Sequence, residues 1–199
     1  SKKIFRDDDI QKLCFDMNPY FKGFKDSDTI FEFKPFLSDR PFKAILTDKG
    51  APPVLVQLEK QFGLKGIAHP EIYYKPKVIN GYEHTMLCDN NWFSGEKWGL
   101  YNDPTLLQNI LKKWCDDDSE NKVEYCKPHG QNIFQYIDEL HSAAQFVCYF
   151  SGGNALAVTL QKKATVIVPE NLDGNSLSLF FFADSPVTYL RKNSLASYY

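Results

Sequence analysis

From Thr85 onward the chain alternates short apolar runs with longer segments in which apolar residues return every three or four positions. The first pattern is that of buried strands, the second that of helices with one buried face. Runs at 85–88, 123–126, 146–150, 164–168 and 187–190 are read as strands. Between them, 104–114 reads as a helix capped by Asp103 that buries Leu106, Leu107, Ile110, Leu111 and Trp114. A second helix, 132–144, buries Ile133, Tyr136, Ile137, Leu140 and Ala144, and two more are read at 155–161 and 176–183. The run Phe146-Val147-Cys148-Tyr149-Phe150 is hydrophobic throughout, as expected of a strand covered by helices on both faces. Strands alternating with helices through short connections predict right-handed crossovers and a parallel sheet. The expected fold class is therefore α/β, a doubly wound, Rossmann-like parallel sheet over residues 81–199.

The first 80 residues are patterned less regularly. Ile10, Leu13, Cys14 and Met17 predict a short helix within 8–20, ended by Asn18-Pro19. Residues 29–33 alternate like a strand, and 53–62 read as a helix opened by Pro52-Pro53 and closed by Gly63. The stretch 65–82, with Gly66, Pro70, Pro76, Asn80 and Gly81, is the linker candidate. Residues 1–80 thus form a smaller N-terminal α/β region that looks incomplete.

A sheet of the predicted kind binds ligands beyond the carboxyl ends of its strands, where strand order reverses. Three loops qualify, after Cys88, Cys126 and Phe150. In the third, Ser151-Gly152-Gly153-Asn154 joins a buried strand to a helix. Paired glycines let a ligand approach the main chain, and the first helical N–H groups favour a phosphate or carboxylate. Ser151 and Asn154 can add side-chain hydrogen bonds. The plain alternative is a tight turn with a polar cap. The turn is neither a Walker loop nor the full dinucleotide fingerprint, because the later glycine and the Lys-Ser/Thr are absent. In the first loop, Lys97 stands among Trp92, Phe93, Trp98 and Tyr101, a cation beside rings that could stack on a planar group or a sugar face. Packing alone also explains Trp92 and Trp98.

Composition narrows the classes. A formal charge of −2 and a pI near 6.1 supply no general attraction for phosphodiesters, which argues against a nucleic-acid partner. The five cysteines are dispersed without a Cys-x-x-Cys pair, which predicts reduced thiols in an intracellular protein and no zinc. No apolar stretch is long enough for a signal peptide core or a membrane span. The expectation is a cytoplasmic chain with no transmembrane segment and no metal.

Lys97-Trp98 ahead of a helix, followed by alternating strands and helices up to a small-residue turn before Ala155-Leu156-Ala157, resembles the C-terminal, nucleotide-sugar-binding half of heptosyltransferase-type GT-B glycosyltransferases. Met17-Asn18-Pro19-Tyr20-Phe21 resembles a stretch of that family's N-terminal half, and 58–64 the stretch before its interdomain linker. The resemblance implies that Lys97 meets the donor phosphate and that Ser151, Gly152 and Gly153 hold it through hydroxyl and main-chain N–H groups. It further implies a nucleotide-diphosphate sugar as donor substrate, a carbohydrate or other hydroxyl acceptor as partner, and no separate cofactor. Gly99 stands where the family has proline, and Phe150 and Ala155 where it usually carries an Asp and a His. No catalytic base transfers to a residue of this chain.

Other side chains have weaker claims. His129, beside Pro128 and Gly130 after the second strand, lies at the edge where a base or ribose would sit, and Glu170, with Asn171 and Asp173, where a ribose or sugar hydroxyl would be met. A surface histidine and a bland loop are the alternatives. Asp7-Asp8-Asp9 is read as a helix start and 116–121 as a solvated acidic loop. His141 falls within a helix and could be a partly buried core residue; His69 and His84 have no partner in sequence that suggests a site, although Glu83 adjoins the latter. Two functions compete: a glycosyltransferase-related protein that moves a sugar to a hydroxyl, and a non-catalytic nucleotide-binding or interaction module, whose oligomerisation through Leu179-Phe180-Phe181-Phe182 is compatible with the sequence. A small hydrolase or phosphoribosyl-handling enzyme that uses the turn for a phosphate ranks third, since Ser151 has no evident His/Asp partner and no nucleophile elbow.

Overall fold

The computed structural model describes residues 8–23, 71–91, 104–126, 132–169 and 186–190. Its centre is a five-stranded, wholly parallel sheet in the order β2-β1-β3-β4-β5, built from β1 (Thr85–Asp89), β2 (Lys122–Tyr125), β3 (Gln145–Tyr149), β4 (Ala164–Ile167) and β5 (Val187–Leu190). The interior strands β1 and β3 are almost wholly buried, whereas the edge strands β2 and β5 are half exposed. That is why their sequences differ, the former continuous apolar runs and the latter mixed.

Helices lie against both faces. On one face α2 (Pro104–Asp117) packs Leu106, Leu107, Ile110 and Trp114 against Met86, Cys88, Val147, Tyr149 and Ile167. On the other, α3 (Ile133–Ser142) and α4 (Gly152–Thr159) pack Tyr136, Leu140, Leu156 and Ala157 against Leu87, Phe146, Cys148 and Val166. Alternate residues of β3 thus feed alternate faces, as the period of two requires. Each fully buried Leu, Ile or Phe contributes about 1.5–3 kcal/mol of burial, and Leu87, Leu106, Ile137, Leu140 and Phe146 are all in that state.

Local signals set the boundaries. Asn132 caps α3, its Oδ1 accepting from the Gln135 N–H at 2.8 Å. Helix α2 runs a turn beyond the expected Trp114, so Asp116 and Asp117 are helical and the acidic loop shrinks to 118–121. Asn121 Nδ2 donates to the Trp114 carbonyl at 2.9 Å and satisfies one of the last helical acceptors. Helix α4 begins at Gly152, three residues before the expected start, because capping by Ser151 draws both glycines into the first turn. It closes on Gln161, held at φ 51, with Gln161 N bonded to Val158 O at 3.1 Å and Lys162 N to Ala157 O at 2.9 Å, a Schellman ending.

At the N-terminus a short α-helix α1 (Asp8–Gln11) passes into a π turn (Lys12–Asp16) ended by Asn18, whose Oδ1 accepts from Tyr20 N at 2.9 Å. Residues 71–81 of the linker candidate lack regular structure but are strapped to α3: Tyr74 Oη donates to Asp138 at 2.8 Å, Lys77 N to Asp138 Oδ1 at 2.8 Å and Ile79 N to Ser142 Oγ at 2.8 Å. The elements expected at 29–33, 53–62 and 176–183 lie outside the described residues. Among the described residues no helix is long and apolar enough to cross a membrane.

Candidate functional site

From β1 the chain steps out to β2, returns past β1 to β3 and continues to β4 and β5. The direction of travel therefore reverses between β1 and β3, and the crevice belongs beyond the carboxyl ends of those two strands. A cavity of about 570 Å³ opens there. Its floor and rim hold Asp89, Asn91, Tyr136, Ser151, Gly152 and Gly153; its walls are Ile10, Leu13 and Cys14 from the N-terminal helix with Ile133, Ala155 and Leu156.

Asp89 ends β1 and is 7% exposed. Its Oδ1 accepts from the Asn91 N–H at 3.1 Å and from Asn91 Nδ2 at 2.6 Å, and its Oδ2 from Tyr136 Oη at 2.9 Å. A buried carboxylate needs such donors, because an uncompensated one costs several kcal/mol, about 1–3 for each lost bond. Burial, and after it the Asp89 charge, hold the Tyr136 phenol far above its ordinary range, so it stays a proton donor. The same causes push the Cys88 thiol up to about 12 and raise Cys126 and Cys148 as well. Those three thiols are packing groups and not nucleophiles.

Across the crevice, Ser151 sits in extended backbone and caps α4, its Oγ accepting from the Gly153 N–H at 3.3 Å, while Asn154 N bonds to Ser151 O at 3.1 Å. The two glycines are not equivalent. A Cβ on Gly152 would meet nothing within 4 Å, whereas one on Gly153 would lie 2.6 Å from Tyr136 Oη, 3.0 Å from Asp89 Oδ2 and 3.1 Å from Phe146 Cζ. Gly153 is small because α4 comes down onto the Asp89–Tyr136 pair; Gly152 is the open, exposed position. Asn154 is fully buried and turned away from the crevice: its Oδ1 receives Tyr189 Oη at 3.4 Å, and its Nδ2 has no partner among the described residues.

The electrostatics of the turn follow from these positions. A helix start favours an anion by about 0.3–1 kcal/mol, up to about 2 in sheltered geometry. Two like charges about 4 Å apart near a protein surface repel by about 4 kcal/mol. The Asp89 carboxylate therefore outweighs the α4 dipole close to the floor, and an anion is favoured only farther out, at Ser151 Oγ and Gly152.

Of the residues singled out from sequence, Ser151, Gly152 and Gly153 line one cavity, and Asn154 packs beside them without lining it. Lys97, Trp98, His129 and Glu170 lie outside the described residues. His141, expected to be partly buried, is exposed on α3, and its carbonyl accepts from Lys162 Nζ at 2.9 Å. His84 lies 3.2 Å from Glu120 on the surface, away from the residues that line the crevice. Sequence reasoning missed Asp89, Asn91 and Tyr136 as site residues. An acid directly at the carboxyl end of the first strand was the available signal for Asp89; Tyr136 was hidden among the apolar residues of its helix. Among the described residues no group of three or more His, Cys, Asp or Glu side chains is placed to hold a metal ion. Comparison of the chain with protein-family models, with curated proteins and with solved structures gave no match.

Proposed function

We propose that the chain is a glycosyltransferase-related protein that binds a nucleotide-diphosphate sugar between β1 and β3 of a doubly wound sheet and passes the sugar to an acceptor hydroxyl. The observation that carries this reading is the position of the cavity, at the reversal of strand order and bounded by the Ser151-Gly152-Gly153 turn. Its size, about 570 Å³, falls in the range of small-ligand sites, which are largely apolar with a few convergent polar groups. The resemblance of Lys97-Trp98 and of the turn to the donor-binding half of GT-B enzymes supports the same ligand class. Transfer would be a direct displacement: the acceptor oxygen forms its bond to the sugar as the bond to the diphosphate breaks, and the acceptor proton passes to a base.

Calorimetry with UDP-, GDP- and ADP-sugars tests the reading. It predicts binding of at least one donor below millimolar concentration, and no binding of any of them at that level removes it.

A second reading, a non-catalytic binding module, draws support from the capped start of α4 and the adjacent Asp89, which restrict where a diphosphate can sit. Donor binding without release of nucleotide in the presence of a broad acceptor panel would favour it.

A further inference from the structure

We infer that Asp89 sets the orientation and specificity of the crevice: its carboxylate takes a hydroxyl of a neutral sugar ring, ribose or hexose, and turns the phosphates outward to Gly152. This rests on the crevice being the nucleotide-sugar site, and it adds a residue and a direction to that reading.

A carboxylate offers about four acceptor positions. Two on Oδ1 are taken by Asn91 and one on Oδ2 by Tyr136, which leaves one position on Oδ2 among the contacts of the described residues. Asp89 lines the cavity and is more than nine-tenths buried, so a ligand group that reaches its open acceptor position is favoured when it brings a donor. Tyr136 cannot yield: it is bonded to Asp89 and keeps its proton. The diphosphate linkage of a nucleotide sugar, or a carboxylate, has no donor to give and meets like charge. An ammonium would have to shed a strongly held hydration shell against walls of Ile10, Leu13, Ile133 and Leu156. A sugar ring fits both demands, presenting hydroxyl donors at its edge and C–H surface to those walls. The remainder of the ligand, including its charge, then leads toward the exposed Gly152, where a substituent would meet nothing within 4 Å.

The test uses the full chain, Asp89→Asn and Ala155→Trp. Ala155 is an exposed wall position, so its replacement narrows the crevice with Asp89 intact. The probes are ribonucleosides with their 2′,3′-dideoxy counterparts, methyl hexosides, butylammonium, inorganic pyrophosphate and the nucleotide sugars, titrated by calorimetry, with thermal melts as a folding control. Ribonucleosides or methyl hexosides are expected to bind the wild type, and the arm that binds names the ring. Asp89→Asn should weaken that binding about tenfold or more, the loss expected of one hydrogen bond to a charged group, and should strengthen pyrophosphate binding. Ala155→Trp should abolish neutral-ring binding while its melting point stays near wild type. The assignment is overturned if no neutral ring binds the wild type, if Asp89→Asn binds them equally, if butylammonium or pyrophosphate binds the wild type more tightly than Asp89→Asn while neutral rings do not, or if Ala155→Trp binds as wild type. Nucleotide sugars bound equally by wild type and Asp89→Asn would sink this assignment and leave the proposed function standing. Neutral rings bound through Asp89 with no nucleotide sugar bound would remove the proposed function, and with it the outward path of the phosphates, and leave only the contact of Asp89 with the ring.

Discussion

Two hollows among the described residues adjoin the sheet at opposite ends, and they differ in what converges on them. The crevice beyond β1 and β3 joins a buried carboxylate, a phenol, a capping hydroxyl and two glycines to an apolar wall. The other, about 390 Å³, lies on the α2 face near the strand beginnings, lined by Met86, Ile110, Lys113, Trp114, Asp117, Gln145 and Lys163 among others. Lys113, Asp117 and Lys163 are exposed there, free to be solvated. Volume alone does not separate the two. What separates them is that the polar atoms of Asp89, Asn91 and Tyr136 in the crevice are mutually bonded, so a change there disturbs a network, whereas the charged side chains of the groove are exposed to water.

The largest expected effect breaks the comparison at its tightest point. Gly153→Ala should destabilise the fold by about 1–3 kcal/mol, since its Cβ collides with Tyr136 Oη and Asp89 Oδ2; urea denaturation measures it, and a loss under about 0.5 kcal/mol would mean that the contact relaxes freely. Tyr136→Phe should cost about 1–3 kcal/mol by stripping a donor from a buried carboxylate, and an unchanged melting point would show Asp89 satisfied by other means. Ser151→Ala should cost about 1 kcal/mol as a lost helix cap. Gly152→Ala should go the other way, a gain of about 0.4–1 kcal/mol, because the site is open and helical and alanine restricts the unfolded chain. In the groove, Thr188→Ala at an exposed lining position should stay within about 0.5 kcal/mol of wild type.

Titration sharpens the same contrast. Cys88 has its pKa raised from 9.0 to about 12 by burial and the Asp89 charge. A group that binds its proton more tightly when folded gives stability that is whole below about pH 9 and is lost as pH rises through about 12. Stability should therefore decline across that window, and less steeply in Cys88→Ala. In the native state a thiol reagent at neutral pH should modify Cys14 and Cys115, which are exposed, quickly, and Cys88, Cys126 and Cys148 only on unfolding. Fast labelling of all five would contradict the packing described around Asp89.

The sequence by itself determined the alternation of strands and helices, the apolar character of β1 and β3, and a polar cap as the plain reading of the Ser151-Gly152-Gly153-Asn154 turn. These depend on periods of two and 3.6 and on short-range hydrogen bonds, all readable within a few positions. It also marked the Ser151-Gly152-Gly153 turn, but as two interchangeable glycines. Only the tertiary structure told them apart, because the neighbours that make Gly153 tight come from β1, α3 and β3. Likewise Asp89 and Tyr136 are 47 residues apart, and nothing local couples an acid at a strand end to a tyrosine on a helical apolar face. Their meeting follows from the pairing of β1 with both β2 and β3 and from the face that α3 covers, a choice among non-local arrangements that local periodicity leaves open.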